Sequence, residues 1–402
     1  MNIIKTAYCR TFQQAMHAAI PLLPYRKPTI LDNMRELAAM LKNKEAKNVL
    51  LVTDKDIRSH GLTLELEKAL KKAGINCIIF DKTVPNPTTD IIEECATAYL
   101  ENECEAFIGF GGGSSMDCAK AAAVRIARPH TPFIKMKGIL KVLKKLPLII
   151  AIPTTAGTGS EVTVAAIVTD AETRLKYQIS DFPLIPRYAV LDPKITVSLP
   201  KHLTATTGMD ALTHAVEAYI GRSLVKSSKR DARHAVRLIF ENIYEAYNNP
   251  TNLRARRKML HASYLAGSAF TTSYVGYVHC VAHSLGGKYN TPHGLANAVL
   301  LPFVLEEYGK NAYKKLHQLA CVIGISDIND SHEAGAKKFI EAVKQMKRDF
   351  NIPDTIEGIK EEDIPELAKT AAKEGNPIYP VPKLMTAKEL EKFYYMILRT
   401  NV

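Results

Sequence analysis

Two rhythms of apolar and polar positions divide the chain. Lys47–Thr53 (KNVLLVT) is an apolar run that stops at Asp54 and predicts a strand buried on both faces. Leu62–Lys72 spaces its apolar residues as a helix does, and Gly74 follows as a C-terminal cap. Asn76–Phe80 predicts a strand, Thr88–Glu101 a helix and Ala106–Phe110 a strand. Glycines 111–113 then open a helix over Ser115–Ala127, and Leu146–Ile152 (LPLIIAI) is again strand-like. Strand–helix alternation of this kind implies parallel pairing and a doubly wound sheet. After about Pro200 helical spacing dominates: Gly208–Ile220, Lys229–Tyr247, Asn252–Phe270, His279–Leu285, Tyr313–Ile323, His332–Phe350, Ile364–Ala372 and Ala387–Arg399. The expected fold class is α/β plus all-α, with an α/β domain over residues 1–200 and a helical domain over 201–402. The chain shows no internal repeat and no low-complexity tract.

Composition narrows the class. With 402 residues, 47% hydrophobic and 23% charged, the chain suits a globular protein and excludes a disordered, collagen-like or coiled-coil one. No apolar run reaches the ~18 residues of a membrane span. Met1–Lys27 carries Lys5, Arg10 and His17 and lacks the apolar block of a signal peptide. Seven scattered cysteines without a C-x-x-C pair argue for a reducing compartment, and the expected location is the cytoplasm. The net charge of +12 and the run Arg254-Ala255-Arg256-Arg257-Lys258 raise nucleic-acid binding as a reading. No aromatic platform or reader motif accompanies them, so neither nucleic acid nor membrane is expected as a partner.

Two glycine-rich turns follow predicted strands. After Phe107–Phe110, Gly111-Gly112-Gly113 permits a tight turn, and Ser114, with Asp117 three residues on, is placed to cap the next helix. A helix start with bare amides suits a pyrophosphate, although the same run also suits an ordinary turn. Pro153–Glu161 (PTTAGTGSE) sets hydroxyls among glycines after the strand at 146–152. Two such loops on one sheet favour a nucleotide crevice. Asp54, at a strand end, can accept hydrogen bonds from an adenosine ribose and would repel a 2′-phosphate; a turn aspartate is the plain alternative.

The histidines are the most specific feature. His279 and His283 share a helix face, and His293 lies close behind in the turn Thr291-Pro292-His293-Gly294. Asp210 and His214 are also four apart, in GMDALTHAVEAY, on an otherwise mainly apolar helix. Imidazoles plus a carboxylate form an N/O set for Fe(II), Zn(II) or a similar ion.

The segments GGGSSMDCAK (111–120), PTTAGTGSEVT (153–163), GMDALTHAVEAY (208–219) and GYVHCVAHSLGGKYNTPHGLANAVLLP (276–302) together resemble the iron-containing alcohol dehydrogenase family. The resemblance implies a dehydroquinate synthase-like fold: an N-terminal NAD-binding α/β domain, a C-terminal helical metal-binding domain, and catalysis in the cleft between them. It assigns Asp210, His214, His279 and His293 to the metal, Fe2+ with Zn2+ or another divalent ion as alternatives. His283 falls on a non-ligand histidine near metal and nicotinamide, a candidate catalytic group or a structural one. Asp54, Asn86, Gly112, Gly113, Ser114, Ser115, Asp117, Thr154, Thr155, Thr158 and Lys176 fall on positions that contact NAD. A homo-oligomer, a dimer or larger, is expected. Residues 1–30 and the lysine-rich Lys135–Lys145 match no family signature, and Phe303 stands where many members carry histidine.

The implied chemistry is interconversion of alcohols and aldehydes. A divalent ion stabilises the alkoxide and NAD takes the hydride. Phe270, nine residues before His279, is a candidate wall of an apolar pocket, which favours short primary alcohols or diols and their aldehydes. A zinc-dependent glycerol dehydrogenase-like enzyme is the nearest alternative. A sugar-phosphate cyclase would need Lys and Arg near the metal, and none occurs between Asp210 and Tyr219.

Overall fold

In the computed structural model, which describes residues 1–398, the chain forms two compact units. One comprises Pro24–Leu199 and Pro250–Tyr264; the other comprises Met1–Leu23, Pro200–Asn249 and Leu265 onward. The helical unit thus takes in the first 23 residues, and the sheet unit takes in a short segment from the second half. Arg257 pairs with Asp32 at 2.8 Å, and the Tyr264 hydroxyl donates to the Pro28 carbonyl, tying that segment to the sheet unit.

Nine strands are present among the described residues: β1 (Thr29–Leu31), β2 (Asn48–Val52), β3 (Asn76–Phe80), β4 (Ala106–Gly111), β5 (Gly138–Ile139), β6 (Leu148–Pro153), β7 (Ala165–Thr169), β8 (Lys176–Ser180) and β9 (Tyr188–Val190). The main sheet runs β3-β2-β4-β6-β9-β1, every pair parallel. A small second sheet, β5-β8-β7, includes the antiparallel β7–β8 pair. The helices are α1 (Ile3–Ala19), α2 (Met34–Asn43), α3 (Lys55–Ser59), α4 (Leu64–Ala73), α5 (Thr89–Glu101), α6 (Gly113–Ala127), α7 (Lys201–Ile220), α8 (Lys226–Asn248), α9 (Leu253–Ser273), α10 (Tyr277–Tyr289), α11 (His293–Tyr308), α12 (Tyr313–Val322), α13 (His332–Asp349), α14 (Ile364–Gly375) and α15 (Ala387–Ile397). Of the expected final helix, Arg399 lies outside the described residues.

The central strands are apolar because helices cover both faces. Val49 and Leu51 of β2 pack with Leu37 and Leu41 of α2 and Leu66 and Leu70 of α4. The intervening Leu50 and Val52 face the other core, with Ile92 of α5 and Cys118 and Ala122 of α6. A shift of one residue in register would exchange these two sets, so the pattern specifies the pairing. Chain order reverses between β2 and β4: the chain moves outward to β3, then returns to the opposite side of β2. Ligands of doubly wound sheets bind outside the carboxyl ends of strands at such a point. Here those ends are followed by Asp54 and by Gly111–Gly113.

In the helical unit α7 packs against α8 and α11, and α10 packs against α11 and α14. No helix among the described residues is long and apolar enough to cross a membrane.

A carboxylate–imidazole cluster and a glycine turn

Asp210 and His214 sit one turn apart on α7, His279 lies on α10, and His293 is the first residue of α11. The sequence reading put His293 in a turn; Pro292 instead caps α11, and His293 is its first residue. One ligand atom from each of the four lies within 4.8 Å of all the others. Asp210, His214 and His279 are buried, while His293 is partly exposed. The Nε2 atoms of His279 and His293 are 3.9 and 3.6 Å from Asp210 Oδ1. One glycine allows the approach. A Cβ on Gly294 would meet the Thr206 carbonyl at 2.7 Å, so only glycine brings the start of α11 this close to α7.

Burying these polar groups without compensation is costly, and the surroundings show what compensates. His279 Nδ1 donates to Glu217 Oε2 at 2.6 Å, which leaves Nε2 as the unprotonated nitrogen facing the cluster. That buried Nε2 has no hydrogen-bond partner. Burial, then the neighbouring imidazoles, pushes His279 well below the usual histidine range, so it is neutral and able to ligate. Glu217 also accepts from the amides of Gly276 and Val278, both at 2.8 Å. Burial pushes its acid up to about 8 against the pull of those amides. With three N–H groups aimed at two oxygens, the carboxylate is the form that makes every contact. Asn297 Nδ2 donates to Asp210 Oδ1 at 2.6 Å and lies 3.1 Å from His293 Nε2. An N₃O set with an unsatisfied nitrogen turned inward fits a divalent ion such as Fe2+ or Zn2+.

Sequence reasoning missed Glu217 and Asn297. Both were detectable: Glu217 follows Asp210 and His214 on the i, i+4, i+7 face of α7, and Asn297 follows His293 by four. His283 stacks on His293 with ring centroids 5.2 Å apart and lies edge-on to His279 at 5.8 Å. Phe270 stacks on His214 at 4.3 Å.

The sheet unit gathers the remaining site residues. Helix α6 begins at Gly113 with Gly112 as its cap, and no side chain caps its amides. This corrects the expected Ser114 cap: Ser114 Oγ instead accepts from the Asn86 amide at 3.3 Å, and Asp117 accepts from Ser160 Oγ and the Ile167 amide. Ser115 and Asp117 are buried, and Asp117 ties the start of α6 to Ser160 of the second loop and to β7. Gly111 has φ +154°, and a Cβ there would lie 2.5 Å from Ser115 Oγ. The second loop packs on the first, because the Thr154 amide donates to the Gly111 carbonyl and Thr158 lies 3.3 Å from where a Gly113 Cβ would be. Lys176 Nζ donates to Asn86 Oδ1 at 2.6 Å, and Asn86 is itself left-handed at φ 56°. Thr155, like Thr158, is only partly buried in that loop. Asp54 caps α3 by accepting from the Ile57 amide at 2.8 Å. Bare amides at a helix start, with no Cβ in the way, fit a dinucleotide's pyrophosphate.

A helix start with bare amides in one unit, and a buried imidazole–carboxylate set in the other, fit an enzyme that uses a nucleotide and a metal ion. The chain belongs to the iron-containing alcohol dehydrogenase family. The family's pattern "Iron-containing alcohol dehydrogenase" matches residues 31–193, and "Fe-containing alcohol dehydrogenase family, C-terminal" matches 204–398. That family is NAD-dependent and uses a divalent metal, and the chain is an alcohol dehydrogenase of this kind. It is 38% identical to 1,3-propanediol dehydrogenase of Klebsiella pneumoniae over 89% of this chain and 92% of that one. With NAD-dependent methanol dehydrogenase of Bacillus methanolicus it shares 36% identity over 84% of this chain and 89% of that one. Among solved structures it is similar to a 1,3-propanediol oxidoreductase, with TM-score 0.89 and 35% identity, covering 94% of this chain and all of that one.

Proposed function

We propose that the enzyme interconverts short primary alcohols or diols and their aldehydes, with Asp210, His214, His279 and His293 holding the ion. The observation that carries the metal assignment is the convergence of four ligand atoms within 4.8 Å around the unsatisfied His279 Nε2. A divalent ion bound there supplies a Lewis acid for the alcohol oxygen, and NAD accepts the hydride. Glu217 keeps His279 in the tautomer that offers Nε2. Asn297 orients the Asp210 carboxylate. His283, stacked beside His293, moves the alcohol proton or orients the nicotinamide. Phe270 presents its ring against His214 as an apolar wall, which favours small unphosphorylated substrates. For NAD the assignment is Asp54 on the adenosine ribose, and Gly112–Ser115 with Thr154–Thr158 around the pyrophosphate. Asn86 and Lys176 complete the set, with Asp117 as a buried brace. The similarity to propanediol and methanol dehydrogenases supports the substrate class.

We further propose a cytoplasmic homo-oligomer, a dimer or larger; all seven cysteines are unpaired, which suits a reducing compartment. Sedimentation analysis tests the assembly. A panel of propanal, butanal, glycerol and propane-1,3-diol on iron-, zinc- and manganese-loaded enzyme tests the substrate class. Activity confined to glycerol would favour the polyol alternative. For the ligands, His279→Ala should lose the metal with the fold kept, whereas His283→Ala should keep the metal and lose turnover. Equal metal loss in both would overturn the division of roles.

A further inference from the structure

The proposed role of His283 depends on which ring nitrogen carries its proton, and the helical unit contains an arrangement that decides this. His283 Nδ1 lies 2.6 Å from Glu374 Oε1, so Nδ1–H donates to the carboxylate, and of the two neutral tautomers the contact selects the one protonated on Nδ1. Glu374 stands on the last turn of α14, which packs against α10. The next residue, Gly375, is pressed so closely on α10 that a Cβ would lie 2.9 Å from Cys280 Sγ. The Tyr379 hydroxyl donates to the same Glu374 oxygen at 3.0 Å.

The segment that carries Tyr379 is held from a distant part of the sequence. Gln13 of α1, buried, donates Nε2 to the carbonyls of Pro377 and Tyr379 at 3.0 and 2.7 Å. Arg10, one turn earlier, donates to the carbonyls of Val381 and Pro382 and braces the Gln13 side chain. Helix α1 lies outside the residues matched by the family patterns. Its polar face makes five hydrogen bonds that end on one segment or on each other. A surface helix needs none of these.

We propose that Glu374 is a positioning residue that fixes the ring and tautomer of His283, and that α1, through Gln13 and Arg10, holds the segment that keeps Glu374 in place. The catalytic consequence rests on the reading of His283 given above; the positioning itself does not.

Zinc-loaded holoenzyme with 15N-labelled histidine reports the tautomer directly, and His283→Ala identifies the signal. In the wild type His283 should show a single Nδ1–H tautomer. Glu374→Ala should abolish it and lower kcat about tenfold, with KM for the alcohol within about twofold, as for other residues that orient an active-site histidine. Both donors reach one oxygen of Glu374, so Glu374→Gln, with its carbonyl in that place, should recover most of the loss. Gln13→Ala, far along the chain, should give mixed tautomers and a two- to threefold drop in kcat. It also serves if Glu374→Ala fails to fold. A single Nδ1–H tautomer persisting in both Glu374→Ala and Gln13→Ala overturns the proposal whatever the rates. A lost tautomer with unchanged kcat overturns the reading of His283 and, with it, the catalytic consequence.

Discussion

Replacing Glu217 by Gln changes one atom and should separate the charge of this residue from its shape. Its Oε1 accepts from the Val278 amide, and its Oε2 from the Gly276 amide and His279 Nδ1. A glutamine has one oxygen for these two positions. With the amide nitrogen at the Oε1 position, it faces the Val278 N–H at 2.8 Å, donor against donor. With the nitrogen at the Oε2 position, it opposes Gly276 and forces His279 to accept on Nδ1. The proton then sits on Nε2, the atom meant for the metal. The first arrangement breaks fewer contacts and should prevail, leaving the Val278 N–H and the new amide NH2 facing each other unsatisfied, at about 1–3 kcal/mol or more. For a domain of about 200 residues, that lowers Tm by roughly 2–12 °C. Losing the charge behind the imidazole should also weaken metal binding by about 10–100-fold. Competition against a zinc indicator measures the second effect, and differential scanning fluorimetry of metal-free protein measures the first. Gly276→Ala should act in the same direction, because its Cβ would lie 2.6 Å from Glu217 Oε1. A Glu217→Gln enzyme that holds zinc within twofold of wild type and melts with it would refute the reasoning.

Asp54→Gly should narrow the preference for NADH over NADPH, measured by kcat/KM, while the lost α3 cap costs only a few tenths of a kcal/mol; an unchanged ratio would remove Asp54 from the ribose. Phe270→Ala should broaden the chain-length preference among aldehydes, since it opens the space beside His214; unchanged preference would make Phe270 mere packing. Glu161 is fully buried with neither oxygen hydrogen-bonded, and burial pushes its acid up to about 7. Between its unfolded value of 4.5 and about 7 the folded state holds a proton that the unfolded chain gives up, so stability falls as pH rises through that window. Glu161→Gln should therefore melt higher than wild type at pH 8, by roughly 3 kcal/mol of stability, and little differently at pH 4. Equal melting at pH 8 would mean that the carboxyl is solvated.

Much of the sheet could be read from the sequence because its central strands are covered on both faces. The runs at 47–53 and 146–152 overlap the inner strands β2 and β6 within two residues, and Asn76–Phe80 coincides with β3 at the sheet edge. The shortest and the accessory strands gave no such signal: β1 and β9 have three residues each, and β7 alternates partly exposed and buried positions. Helix α1 escaped because its contacts are made by Arg10 and Gln13, which read as surface residues. Helix α11 escaped for the opposite reason. HGLANAVLLPFVLEEY is buried on nearly every side and contains Pro302, so it shows no apolar stripe of helical period and reads as a loop around a motif.

The same contrast governs the site. Asp210, His214, His279 and His293 stand out because ionisable residues on apolar helices are costly unless something engages them. Their supports do not stand out. Glu217, Asn297 and Glu374 are ordinary helix residues by composition, and only tertiary geometry aims them. Sequence spacing does rank them, however. Glu217 and Asn297 recur at helical intervals from a ligand on the same helix, so a search for polar partners on a ligand-bearing face finds both. Glu374 lies 91 residues from His283 on another helix, and Gln13 reaches its target across 364 residues. No local period connects these, so their roles emerge only when α10, α14 and α1 are packed together.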